Sequence, residues 1–162
     1  MLARFWEVLS VPSTFRVGSY KTEIHEMREM RMLGLGQYAH NNQPGHHFPY
    51  LFAMLGDHNA TAWLVRRVLA AAYSPEGFVG DEDNGEMGAW FVLGALGLYA
   101  AATGTSEDYV LGAVPLFPRV LLRDLDVTIE APAAAEEAPA VTAVLWRSHA
   151  WPTPGLPYSQ LR

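Results

Sequence analysis

The 162-residue sequence predicts a mixed fold in which helices come first and β-strands follow, with the change near residue 105. Two observations predict the helical part. Apolar residues recur at helical spacing over residues 60–73, and residues 86–101 are hydrophobic nearly all round, as in a helix that is buried on most sides. After Gly104, segments rich in Val, Leu and Ile show the partial alternation that is typical of strands.

The helical half is predicted to hold five helices joined by loops. Their ranges are 5–9, 22–32, 47–55, 60–73 and 86–101. Thr22 is a candidate cap for the second helix, and Asp57 or Asn59 for the fourth, because short polar side chains bond the free N–H groups of a first turn. Residues 38–47 are too rich in Asn, Gly and Pro for regular structure, and residues 74–77 form a turn.

The second half is predicted to hold three strands, at 109–114, 119–131 and 140–147, with a flexible connection at 132–139 and an irregular tail at 151–162. The boundary near 105 divides the chain into regions 1–105 and 106–162. Three strands and a few helices leave faces uncovered, so the pattern favours a fragment of a longer chain.

Composition excludes several classes of protein. The chain has 11 Lys and Arg against 17 Asp and Glu, a net charge of −6, which disfavours a nucleic-acid-binding surface. It has no cysteine, so disulfide scaffolds and thiolate metal sites are excluded. No apolar run approaches the roughly 20 residues that span a bilayer. Glu7 interrupts the apolar start, which does not resemble a signal peptide.

An acidic loop at residues 80–86 carries Asp81 and Asp83, two positions apart. In an extended segment these two side chains point the same way, so both can address one ligand. Such a pair serves either as a general base with a supporting group or as ligands for a hard cation. The alternative is a capped helix start whose charges are solvated.

A neutral polar loop is a second candidate site. His46 and His47 follow Asn42 and Gln43 in this loop. Such a loop suits hydroxyl-rich ligands or calcium. The alternative is that the histidines only form hydrogen bonds with the backbone.

The segment IHEMREM (residues 24–30) carries His25, Glu26 and Glu29. If it is helical, Glu29 shares a face with His25 or with Glu26, and this face is either solvated or the wall of a site.

Three segments together closely resemble the C-terminal motifs of glycoside hydrolase family 92, the calcium-dependent exo-acting α-mannosidases. They are IHEMREM (24–30), GQYAHNNQPGHH (36–47) and GDEDNGEMGAWFVLGALGLY (80–99). Their order and spacing agree with the family, and the similarity continues in DYVLGAVPLF (108–117), in DVTIEAP and in the WPTPGLPYSQL tail. The resemblance implies part of an (α/α)6 catalytic barrel over residues 1–105, followed by C-terminal β-strands that are incomplete here.

The resemblance also implies a reaction: removal of terminal α-linked mannose from glycans, including N-glycans, with inversion and with Ca²⁺ as cofactor. An inverting enzyme uses one carboxylic acid on the leaving oxygen and one carboxylate that activates water. By resemblance Asp83 is the base and Asp81 assists it. Glu29, Asn42 and Asp83 match the calcium site, and the residues matching the sugar site are His25, Glu26, Gln43, His46 and His47.

Some positions depart from the family pattern. Its general-acid glutamate lies in an upstream motif that has no counterpart here, and Glu7 lacks the surroundings of that motif. Asn41 stands where the family usually has Gly, and Glu86 where Gln is common. We therefore expect the chain alone to be inactive and to require the upstream barrel and an N-terminal β-domain of a parent chain, which by resemblance is secreted or periplasmic. A non-catalytic remnant that binds calcium or carbohydrate is the alternative.

Overall fold

The computed structural model describes residues 1–100, 108–132, 134, 140–151, 155–157 and 159. In this part of the chain the helices are α1 (Leu2–Ser10), α2 (His25–Leu33), α3 (Phe48–Met54), α4 (His58–Ala72) and α5 (Glu86–Leu96). The strands are β1 (Tyr73–Ser74), β2 (Gly77–Phe78), β3 (Leu98–Ala100), β4 (Asp108–Leu111), β5 (Arg119–Leu122), β6 (Val127–Glu130), β7 (Leu145–Trp146), β8 (His149–Ala150) and β9 (Gly155–Pro157). The predicted mixture of helix and strand is confirmed.

The core forms where α3, α4 and α5 pack together. Its largest fully buried side chains include Tyr50, Phe52, Leu64, Val65, Val68 and Trp90. Thr61 joins two of the helices, because its hydroxyl donates to the carbonyl of Pro49 (2.7 Å) and accepts from the N–H of Ala53 (2.9 Å). Of the two candidate caps for α4, Asp57 is the observed one, since its Oδ1 accepts from the N–H of Ala60 at 3.0 Å.

Two predicted helix boundaries are wrong. Thr22 does not cap α2, which begins at His25 after Ile24, and no side chain caps that end. The last helix ends at Leu96 rather than 101, because Gly97 turns into the left-handed region at φ +79°. A Cβ on Gly97 would lie 2.8 Å from the carbonyl oxygen of Ala113, so the close approach of these two segments requires glycine.

The strand region also differs from its prediction. The predicted strand at 119–131 is a hairpin of β5 and β6, in which Asp126 (φ +52°) closes the turn and Leu122 faces Val127. The tail that was predicted to be irregular contributes β9, which pairs with β4 in the antiparallel sheet β3–β4–β9. This sheet links the two predicted regions, since β3 precedes residue 105 and β4 follows it.

The predicted strand at 140–147 is shorter in the structure. Within the predicted strand at 140–147, only Leu145 and Trp146 are paired, with β8. Most of the predicted connection at 132–139 lies outside the described residues.

Among the helices of the described ranges, none combines the length and the apolar character needed to cross a bilayer.

Candidate functional site

The structure brings together the three segments that carry the predicted site residues: the first turn of α2, the loop at 38–47 and the acidic loop at 80–86. Gln43 Nε2 donates to the backbone carbonyl of Asp81 at 2.7 Å. Gly80 (φ +86°) packs directly on Asn41, where a Cβ would lie 2.9 Å from the carbonyl oxygen. Asn41, which is buried, in turn bonds α2, so the loop at 38–47 connects the other two segments.

The carboxylate of Glu29 is held on both oxygens. Its Oε1 lies 3.1 Å from His25 Nδ1, and its Oε2 accepts from Asn41 Nδ2 at 2.8 Å. The side chain of Glu29 is 22% exposed, so the carboxylate lies at the edge of the surface rather than in the core. The predicted sharing of one helix face by His25 and Glu29 is present in this geometry.

The His25 ring is placed between two carboxylates. Its second nitrogen, Nε2, lies 3.3 Å from Glu26 Oε1. The hydrogen bond with Glu29 is the main cause that raises the pKa of His25 above its ordinary value, and the charges of Glu26, Glu29 and Asp81 add to it against a desolvation that lowers it. The two carboxylates therefore favour the protonated form of a ring that lies on the surface beside the acidic loop.

The first three acids of the acidic loop, Asp81, Glu82 and Asp83, have different surroundings. Glu82 turns inward, where its Oε1 accepts from the N–H of Gly88 at 3.0 Å and satisfies a free donor in the first turn of α5. Asp81 and Asp83 are exposed. The extended path assumed from the sequence is wrong at Asp83, which is left-handed at φ +46° and is followed by Asn84 at +62°. A shared direction of the two aspartates therefore does not follow from their spacing.

The two adjacent histidines are separated by burial. His47 is exposed, whereas the His46 side chain is 1% exposed. His46 Nε2 donates to the carbonyl of His40 at 2.9 Å, and Nδ1 faces Glu86 Oε1 at 3.0 Å. A direct contact of His46 with a sugar, as the resemblance implies, needs an exposed ring nitrogen. Here the ring is buried, and its two nitrogens contact the His40 carbonyl within the loop and Glu86 at the start of α5.

Behind the loop lies a buried chain of hydrogen bonds that sequence reasoning missed. The Tyr73 hydroxyl donates to the Met87 carbonyl (3.0 Å), so its oxygen accepts from His40 Nε2 (2.8 Å). His40 Nδ1 is then free to accept from the hydroxyl of Tyr38 (2.8 Å). Burial, with a contribution from His46, lowers the pKa of His40 to about 3, so the ring is neutral. Trp90, which packs edge-on to His40, belongs to the core as predicted.

The atoms of this site that could bind a cation are mostly oxygens. Asn41 Oδ1 and Glu26 Oε2 are buried and have no hydrogen-bond partner among the described residues. No group of three His, Cys, Asp or Glu side chains with the geometry of a metal site is present in the described ranges. Carboxylates and amide oxygens suit a hard cation such as Ca²⁺, which takes six to eight oxygen ligands, some of them from water or ligand.

The predicted calcium ligands are not equally placed. Glu29 lies next to Asn41. The following residue, Asn42, is exposed, and its backbone N–H and carbonyl form hydrogen bonds in the turns of the loop. Sequence reasoning missed the contact of Asn41 with Glu29 and the inward turn of Glu82. The first contact depends on where the loop meets α2, and the second on how the acidic loop turns onto the start of α5.

Comparisons with known proteins agree with one another. The sequence model described as "Glycosyl hydrolase family 92 catalytic domain" matches residues 11–162. A structure of the family GH92 alpha-mannosidase BT3965 from Bacteroides thetaiotaomicron is 21% identical at a TM-score of 0.71, covering 99% of this chain and 20% of that chain. Its complex with mannoimidazole is 20% identical at a TM-score of 0.72, covering 98% and 20%. No curated protein matches significantly. The chain spans about a fifth of the length of these structures, and at this identity the likeness shows the fold.

Proposed function

The chain belongs to glycosyl hydrolase family 92, and from this we propose that it supplies the base carboxylates and part of the calcium site of an exo-acting α-mannosidase. One structural observation supports the proposal above others. The acidic loop and the first turn of α2, which are more than 50 residues apart in the sequence, are brought together through Asn41, Gln43 and Gly80. The exposed His25, the exposed Asp81 and the fixed carboxylate of Glu29 thereby lie close together.

We propose Asp83 as the general base, with Asp81 assisting. Both side chains are exposed, so water can reach them. In an inverting hydrolase the base carboxylate takes a proton from the attacking water, while an acid roughly 6.5–9.5 Å away protonates the leaving oxygen. We assign the acid to a glutamate outside this chain. Glu7 does not fit that role, because it lies on α1 in an exposed ion pair with Arg4 at 2.6 Å.

We propose Glu29, Asn42 and Asp83 as the calcium-binding residues. The oxygen-only donor set and the unpartnered buried oxygen of Glu26 fit a hard cation. When bound, the ion would supply a positive charge that holds hydroxyls of the terminal mannose. Beside it, the exposed His25 ring, which Glu29 holds through Nδ1, would contact the sugar.

The remaining residues fit the substrate side. Gln43, which is half-buried, and His47, which is exposed, lie on the loop beside the site and can contact a mannose-containing glycan. Glu26 lies toward the leaving group in this proposal, and His46 holds the start of α5 through Glu86. N-glycans are the substrate class that we propose.

We further propose that residues 1–105 form part of an (α/α)6 barrel and residues 106–162 part of its closing strands, and that the chain works only with the remaining barrel and an N-terminal β-domain. The short span relative to the matching structures supports this. So does the exposed tryptophan pair Trp6 and Trp63, whose ring centroids are 5.7 Å apart and which are 40% and 46% exposed.

The experiment compares two proteins: the 162-residue chain, and this chain joined to the upstream part of a family 92 catalytic domain. Mannose release from α-mannosides is measured with calcium and with EDTA. We expect release only by the longer protein, and only with calcium. Activity that EDTA leaves unchanged would overturn the calcium proposal, and no activity in a folded longer protein would overturn the reaction.

Calorimetry of the 162-residue chain with calcium and with methyl α-mannoside tests the alternative, a binding remnant. Tight binding of both ligands by a folded chain, together with an inactive longer protein, would favour that alternative.

A further inference from the structure

Asn41 holds a buried side-chain amide between α2 and the acidic loop, and the predicted site residues do not include it. The residue is 5% exposed. Its Nδ2 donates to the carbonyl of Glu26 at 3.1 Å and to Glu29 Oε2 at 2.8 Å, so both amide protons are used. The opposite orientation of the amide would place its oxygen against a carbonyl and a carboxylate, both of them acceptors. The hydrogen-bond network therefore fixes the orientation.

These bonds restrict the carboxylate of Glu29. With Asn41 on Oε2 and His25 on Oε1, rotation of the carboxylate breaks two hydrogen bonds at once. A hydrogen bond to a charged group is stronger than one between neutral groups, and the Asn41 end of this pair is buried. Each oxygen of Glu29 keeps lone pairs that can face a ligand.

The backbone of Asn41 makes the second contact. Gly80 lies against its Cα, Cβ and carbonyl oxygen at distances that leave no space for a side chain on Gly80. The acidic loop therefore rests directly on the residue that holds Glu29. Movement of Asn41 would change the separation between the α2 carboxylates and Asp81.

We propose that Asn41 is a positioning residue of this site. Its amide fixes the orientation of Glu29, and its backbone fixes the separation between α2 and the acidic loop. The inference rests on the proposed function where it concerns the cation, and it assigns Asn41 a role through Glu29 rather than as a ligand. Residues that orient metal ligands in this way typically change metal affinity by 10–100-fold when they are replaced.

The first test is calorimetric titration of calcium into the wild-type chain, Asn41→Ala and Asn41→Asp. Asn59→Ala is the control, an exposed asparagine whose Oδ1 accepts from Val141 outside the site. We expect both Asn41 variants to bind calcium roughly 10–100-fold more weakly and the control to bind as the wild type does. Tighter binding by Asn41→Asp would show that the oxygen is itself a ligand and would overturn the inference, as would unchanged binding by Asn41→Ala.

The second test needs neither calcium nor an Asn41 variant. In the wild-type chain, the side-chain NH₂ protons of Asn41 should exchange slowly with solvent in an NMR experiment. They should shift and exchange faster in Glu29→Ala but not in Glu23→Ala, whose carboxylate pairs with Arg31 instead. Asn41 protons that do not respond to Glu29→Ala would overturn the inference. A wild-type chain that binds no calcium, with the Asn41 response intact, would overturn the proposed calcium use instead.

Discussion

The hydroxyl of Tyr73 lies 2.8 Å from His40 Nε2, and its own proton is directed to the carbonyl of Met87. The contact joins the end of α4 to the loop that carries the candidate site and to the first turn of α5. It also fixes the tautomer of His40, because Tyr73 can only accept from Nε2.

Replacing this hydroxyl should destabilise the fold. Tyr73→Phe leaves the buried Nε2 donor of His40 without its partner, which costs about 1–3 kcal/mol of unfolding free energy. Urea denaturation followed by circular dichroism measures this change. Tyr20→Phe is the matched control, because Tyr20 is 62% exposed. Equal stability of the two variants would contradict the hydrogen-bond chain.

The neutral, buried His40 predicts a loss of stability in acid. Its pKa is about 3 in the folded chain, against 6.5 ordinarily, because burial disfavours the charged ring. Between these values the unfolded chain binds more protons, so stability falls as the pH falls from about 6.5 toward 3. The contribution of this residue is up to about 1.4 kcal/mol per pH unit.

NMR separates this contribution from those of other groups. At pH 5 the ¹⁵N shifts of His40 should be those of a neutral ring protonated at Nε2. A charged His40 at pH 5 would contradict the predicted pKa shift.

Two glycines of the acidic loop provide a matched test of its packing. Gly80 and Gly85 have nearly equal φ angles, +86° and +90°, so an alanine is strained by about 1–2 kcal/mol at either position. A Cβ on Gly80 would meet Asn41 at 2.9 Å, whereas Gly85 has open space around it. Gly80→Ala should therefore destabilise the chain more than Gly85→Ala and should also weaken calcium binding. Equal effects in thermal unfolding and calorimetry would mean that the contact with Asn41 is unimportant.

Much of the fold could be predicted because its helices are strongly periodic. The buried face of α4 recurs at helical spacing, and Asp57 was among its two candidate caps. The end of α5 was predicted too late, since Leu98 and Tyr99 continue its apolar run past Gly97, whose left-handed turn brings it against Ala113 and Pro115. The β5–β6 turn contains no glycine or proline, and its turn-favouring residues are only Asp124 and Asp126 within a segment rich in Val, Leu and Ile.

The sequence predicted which segments form the candidate site, but it did not predict which contacts their side chains make. Motif resemblance selected α2, the loop and the acidic loop, which the structure places together. Which acid faces inward depends on a single N–H of α5, that of Gly88, which Glu82 satisfies. The roles of Asn41 and His46 likewise depend on burial, which composition and spacing do not reveal.

The most direct test of the central proposal compares two neighbouring acids in an active protein, this chain joined to the rest of a family 92 catalytic domain. Asp83→Asn should lower kcat for mannose release by about 10²–10⁴-fold without changing stability, because it removes the base. Glu82→Gln should keep most of the activity and lose up to about 1 kcal/mol of stability, because it weakens the helix cap. Retention of full activity by Asp83→Asn, or an equal loss in both variants, would contradict the assignment of Asp83 as the base.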